Sequence, residues 1–157
     1  MIYSAIYIFG LVAANLLVAL IGPWFSVINS FVLIGLDLTL RDKLHDRWDG
    51  NPIKIGSLIV VAGAISYLLN PASEQIAIAS VIAFCLSMMA DSLVYQKLKD
   101  DPWDKRTTAS NLVGAGVDSI AFPTIAFGGL MPEIVAMQFV SKVVGGFVWT
   151  KLLRGQA

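Results

Sequence analysis

Six apolar runs, separated by short breaks of helix punctuation, constrain this chain more than any other feature. They cover Ile2–Ile21, Trp24–Leu40, Ile53–Leu69, Gln75–Tyr95, Thr108–Phe127 and Glu133–Leu153. Each is about the 17 to 25 residues that a helix needs to cross a bilayer. The breaks include Gly22-Pro23, Asn51-Pro52, Asn70-Pro71 and Gly128-Gly129 followed by Pro132, residues that end or begin helices. With 57% hydrophobic and 14% charged residues, the 157-residue chain is too apolar to hide its side chains in one soluble core. The expectation is an all-α, polytopic membrane bundle of six transmembrane helices, one domain over residues 1–157. Met1 to Phe9 holds no Lys or Arg before the first apolar run, so a cleaved signal peptide is not expected.

Basic residues assign the sides. Arg41, Lys43, Arg47 and Lys54 follow span two, Lys97, Lys99, Lys105 and Arg106 follow span four, and Lys151 and Arg154 close span six. By the positive-inside rule that side is cytoplasmic, and both termini are expected there. The formal net charge is zero, which gives no reason to expect a nucleic-acid partner. Cys85 is the single cysteine, so neither a disulfide framework nor a CxxC metal site is expected. No cofactor is expected either.

Inside the spans the polar residues fall at separate depths. Asp118 in span five and Lys142 in span six both come near the midplane at about 1.5 Å per residue, and opposite charges there offset much of each other's insertion cost. Gln138, four residues before Lys142, shares its helix face. Such a pair either serves a ligand or locks two helices together. Pro123 leaves the Ser119 carbonyl without its usual helical donor, and Phe122, one turn beyond Asp118, offers an aromatic face. A second layer toward the cytoplasm holds Asp37 with Arg41 one turn on, Asp91 with Tyr95 one turn on, and Asn111. It reads as an inner gate or proton-coupling layer; alternatively, Arg41 snorkels to the interface and pairs with Asp37. On the outer half, Asn15 and Asn29 bond a neighbouring helix or contact ligand. Glu133 suits the first turn of its helix. Trp24, Trp48, Trp103 and Trp149 read as an interfacial belt.

The segments Asp37-Leu-Thr-Leu-Arg-Asp-Lys43 and Asp91-Ser-Leu-Val-Tyr-Gln-Lys97, each followed by a tryptophan, resemble one another through either an old duplication or shared interface chemistry. Taken in order, FVLIGLDLTLRDKL, IASVIAFCLSMMADSLVYQKLK, TTASNLVGAGVDSIAFPTIAFGG and Phe-Val-Ser-Lys142 resemble the queuosine precursor transporter family, also called the vitamin uptake transporter family. The resemblance implies a non-enzymatic protein of the bacterial inner membrane that takes up 7-cyano-7-deazaguanine or a related 7-deazapurine by alternating access. A carboxylate matches the donor pair of such a ring, an amide or ammonium its carbonyl, and an aromatic wall its face. Asp118, Lys142, Asn111, Gln138 and Phe122 supply that set, with Asp91 as a further carboxylate. Six short spans are few for a transporter acting alone, so a homodimer is expected. Two rivals stand beside this reading: an intramembrane aspartyl protease using Asp91 and Asp118, and a structural membrane subunit that transports nothing.

Overall fold

The computed structural model describes residues 2–49 and 51–153, which form six long helical segments with no strand among them. Helix α1 is Ile2–Ile21. Helix α2, residues 25–47, is composite: an α-helical start at Phe25–Asn29, a π-helical turn at Ser30–Ile34 and an α-helix at Gly35–Arg47. Then follow α3 (Pro52–Leu69), α4 (Glu74–Lys97, entered through a 3-10 turn at Pro71–Ser73), α5 (Trp103–Ala126) and α6 (Pro132–Leu153). Each expected span falls on one helix. The helices, however, outrun the apolar runs: α2 continues past Leu40 to Arg47, and α5 begins at Trp103 rather than Thr108. Arg, Lys and Asp tolerate helical backbone, and these find partners within the bundle, so the helix does not stop where apolarity does.

The connections follow the punctuation. Asn51 caps α3, its side-chain oxygen accepting from the backbone N–H of Ile53 (3.0 Å) and Lys54 (3.3 Å), with Pro52 at the first helical position. Asn70 accepts from Ala72 N–H at 3.1 Å to start the next turn. Gly22 and Gly128 sit at φ 105° and 73°, where a side chain would be strained.

Three helical stretches are long and apolar enough to cross a membrane: Ile2–Ile21, Pro52–Leu69 and Pro71–Lys97. The others, α2, α5 and α6, carry most of the buried ionisable groups. Helix α5 lies against both α4 and α6, α3 packs on α1 and α4, and α2 packs along α6. One apolar cluster gathers Tyr7, Leu11, Leu38, Ile55, Ile59, Phe84 and Met88; a smaller one, nearer the Gly/Asn turns, gathers Val18, Ala79, Ala83, Phe122 and Ala126.

The basic residues collect at one end. There Lys43 lies over the rings of Tyr3 (5.9 Å) and Trp103 (5.2 Å), and Arg106 lies over Tyr95 (4.1 Å). Arg154 lies outside the described residues.

The crossing of α2 and α6 is a glycine contact. A Cβ on Gly35 would overlap the backbone of Gly145 and Gly146, and one on Gly145 would overlap the Phe31 carbonyl. Such close approach is what small residues permit between membrane helices. The π turn lies at this crossing, and the indole N–H of Trp149 on α6 donates to the Val32 carbonyl within it (3.1 Å). Trp149 therefore serves the helix crossing as well as any interfacial belt.

Candidate functional site

At mid-bundle, Lys142 of α6 is buried and reaches across to α5. Its Nζ lies 2.7 Å from Asp118 Oδ2 and donates to Ser119 Oγ (3.2 Å) and Gln138 Oε1 (2.8 Å). Three contacts use the three donors of an ammonium. The Gln138 amide in turn donates to Ser26 Oγ of α2 at 2.7 Å, so the network ties three helices. Asp118 keeps one oxygen, Oδ1, buried and without a hydrogen-bond partner. Lys142 meets Ser119 at its hydroxyl; the sequence had drawn attention to the Ser119 carbonyl instead.

This network borders a small cavity of about 20 Å³, whose walls include Asn15, Asn29, Phe84, Phe122, Asp118 and Lys142. A space of that size holds about one water. Asn15 uses its amide N–H on Ser66 Oγ of α3 (3.1 Å), and Asn29 donates to the Ala14 carbonyl of α1 (3.0 Å). Both asparagines thus bond neighbouring helices while also lining the cavity. Phe122 stands on the cavity wall and meets Phe127 edge to face, ring centres 6.0 Å apart.

A second polar layer lies toward the basic end. Gly114, one turn before Asp118 on α5, marks its level, since a Cβ there would lie 2.8 Å from Arg41 Nη2 and 3.3 Å from Asp91 Cβ. Arg41 is 1% exposed, pairs with Asp91 Oδ2 of α4 at 3.3 Å and donates to Ser87 Oγ at 3.1 Å. Ser87 passes the link on, donating to the Gly114 carbonyl at 3.0 Å. Arg41 neither snorkels nor pairs with Asp37. A same-helix pair one turn apart is weak, and the guanidinium instead reaches the buried Asp91 on a facing helix. Asp37 is fully buried with neither oxygen hydrogen-bonded.

The third layer sits at the basic end itself. Asp46 of α2 accepts from Tyr95 Oη (2.8 Å), Trp103 Nε1 (3.1 Å) and Arg106 Nη2 (2.8 Å), and the Arg106 Nη2 also donates to Tyr95 Oη (2.8 Å). Tyr95 therefore serves this layer and not Asp91, one turn away. His45 stands edge-on to Tyr95, and its half-buried setting pushes the imidazole below its ordinary range.

Of the residues singled out from sequence, Asp118, Lys142, Gln138, Phe122, Asn15 and Asn29 line one cavity. Asn111 does not. Two helical turns, about 10 Å, separate it from Asp118; it is buried beside Gly146 and lines a different space of about 590 Å³ between α5 and α6. Asp91, Asp37 and Arg41 lie in the second layer. Asp91 and Asp118 are each held by a different cation, Arg41 and Lys142. Ser26 and Ser30 are not singled out by the sequence reading, and Ser119 is singled out there only for its carbonyl. The signal was present, because Ser26, Asn29 and Ser30 recur at spacings of three and four, but serines in a membrane helix are common packing residues.

The family model described as "Putative vitamin uptake transporter" matches residues 4–154, which takes in some part of all six helices and both buried ion pairs. No curated protein and no solved structure matches the chain. A match of that length, on a helical bundle with ion pairs in its interior, establishes that the chain belongs to the vitamin uptake transporter family of membrane proteins.

Proposed function

We propose that this protein takes up a 7-deazapurine queuosine precursor, such as 7-cyano-7-deazaguanine, across the bacterial inner membrane. In this reading all six helices span the bilayer, the basic end and both termini are cytoplasmic, and the functional unit is a homodimer. The observation that carries the reading is the buried Lys142–Asp118 pair, with Asp118 Oδ1 unpartnered beside a cavity that Asn15, Asn29 and Phe122 also line. A membrane carboxylate with spare acceptor capacity suits a neutral ring that presents two adjacent donors.

In this reading the small cavity is the substrate site in an occluded conformation. Admitting a bicyclic heterocycle requires α5 and α6 to part from α1 and α2, and the Gly35–Gly145 crossing supplies a close backbone contact about which they move. Because Lys142 already uses its donors, a substrate carbonyl displaces Ser119 or Gln138 from it. Access then alternates as one helix group rocks against the other. Asp37, Arg41, Asp91 and Ser87 form the inner barrier between this cavity and the cytoplasm. Asn111, on the path between the helices toward the basic end, offers an amide for substrate on its way out.

The test is uptake of labelled 7-cyano-7-deazaguanine, with queuine and guanine as competitors, in cells that neither make the precursor nor carry another transporter for it. Hydrogen bonds to a charged group contribute roughly 1.5 to 3 kcal/mol each, so Asp118→Asn is expected to reduce uptake at least tenfold, and Lys142→Met likewise. Wild-type uptake by both variants at matched membrane levels would sink the site.

A further inference from the structure

We propose that transport is coupled to protons through Asp37, which binds one proton per cycle, and that Arg41 is the cation that responds to its loss. The inference rests on the transport reading above and adds a co-substrate to it.

Asp37 is fully buried in the interior of the bundle, and both of its oxygens lack any hydrogen-bond partner. Its carboxyl group packs against the bare backbone of Gly10 on α1, where a Cβ would lie 2.6 Å from Oδ1. Among the described residues no neighbouring helix sends it a donor. The surrounding ionisable groups are few: Tyr7 of α1, itself fully buried with an unpartnered hydroxyl, and Arg41 on the same helix. Beyond these, Asp91 and Cys85 of α4 act on Tyr7, while Asp91, Asp42 and Asp118 act on Arg41. Helix α3 faces this region with Ile55 and Ile59.

Two carboxylates in one layer therefore compete for a single guanidinium, and Asp91 holds it. An isolated ionised carboxylate in an apolar interior is too costly to persist, and such a group takes up a proton instead. Ionisable side chains placed so in membrane helices are the usual components of proton relays. Asp37 lies one turn beyond Ile34, which lines the mid-bundle cavity, and one turn before Arg41.

The cycle balances simply. A proton from the outer side bonds to a carboxylate oxygen of Asp37, which makes the side chain neutral and leaves Arg41 with Asp91 and Ser87. When that O–H bond breaks, the proton leaves to the cytoplasmic side and the carboxylate draws Arg41 one turn along its own helix. Arg41 then releases Asp91 and Ser87, and with them the link to the Gly114 carbonyl that joins α4 to α5. The inner barrier opens as the proton departs.

The test has two arms, run on purified full-length protein in lipid. The first is infrared spectroscopy, which needs no substrate. Wild type at neutral pH is expected to show the C=O band of a protonated carboxyl group. Asp37→Asn should lose that band, Asp91→Asn, which frees Arg41 to pair with Asp37, should weaken it, and Asp37→Glu should keep it at a shifted position. The second arm is proteoliposome uptake of labelled 7-cyano-7-deazaguanine. With one pH unit of acid outside, wild type should accumulate it about tenfold, since one unit is worth a factor of ten per proton. Asp37→Asn, fixed in the neutral state with Arg41 held by Asp91, should neither accumulate the probe nor exchange labelled for unlabelled probe. Absence of the band in wild type, its survival in Asp37→Asn, or undiminished accumulation by that variant overturns the inference. If wild type does not carry the probe at all, the transport reading of the preceding section fails, and the infrared arm alone decides whether Asp37 holds a proton.

Discussion

Replacing Lys142 with methionine separates a structural ion pair from a working one. The substitution removes a 2.7 Å pair with Asp118 and donations of 2.8 Å to Gln138 and 3.2 Å to Ser119. It leaves Asp118 buried with neither oxygen engaged, because Oδ1 already has no partner. Breaking one side of a buried pair costs about 3–5 kcal/mol, chiefly through the uncompensated charge, whereas replacing both partners by neutral groups is often close to neutral. Lys142→Met is therefore expected to destabilise the protein by about 3–5 kcal/mol, with Asp118→Asn also destabilising. The double variant should be more stable than Lys142→Met, giving a coupling well above the roughly 0.5 kcal/mol scatter of independent sites. The assay is reversible unfolding in mixed micelles for all four proteins, with precursor uptake measured in parallel. If the pair is only a lock, stability and uptake recover together in the double variant. Recovery of stability without uptake is the expected result. Additive single effects, or restored uptake in the double variant, would refute the reasoning.

Two further predictions follow from particular contacts. Gly145→Ala places a methyl group against the Phe31 carbonyl, backbone against backbone, so it should cost about 1–3 kcal/mol or more and depress uptake. Gly56→Ala, whose Cβ would meet only Met88 Cε at 3.9 Å, is the control; equal thermal stability of the two variants would show that the α2–α6 crossing tolerates separation. His45 lies beyond the apolar run of α2, and burial holds its folded pKa below the ordinary value of roughly 6.5. The unfolded chain therefore binds the proton more readily, so stability is complete above that value and declines as pH falls from it toward the folded pKa. His45→Gln should flatten this part of the unfolding profile, and an unchanged acid slope would remove His45 as its source.

The three polar layers were legible to different degrees. The Asp118–Lys142 partnership follows from two opposite charges at equal depth on consecutive helices, and Gln138 follows from its spacing on the same face. Asn111 did not follow, although it shares a helix face with Asp118, because face is set by periodicity whereas membership of a cavity also depends on depth. The choice of Asp91 over Asp37 by Arg41 is likewise invisible in the chain. Both carboxylates lie within reach of a long side chain, and only the approach of α4 to α2 selects between them. The basic-end cluster of Asp46, Tyr95, Trp103 and Arg106 joins residues that, read singly, look like ordinary helix-end chemistry.

By itself the sequence determined the number of long helices, the places where they break, the end at which the positive charge gathers and the depth at which the first ion pair forms. Those are properties of hydropathy, turn chemistry and a fixed rise per residue, each local along the chain. Tertiary structure decided the rest: the π turn in α2 at the Gly35–Gly145 crossing, the convergence of Asn15, Asn29 and Phe122 on one small cavity, and the exclusion of Asp37 from every hydrogen bond. These depend on which helix faces approach one another, and how closely. That is settled by packing between distant segments, which no single segment encodes.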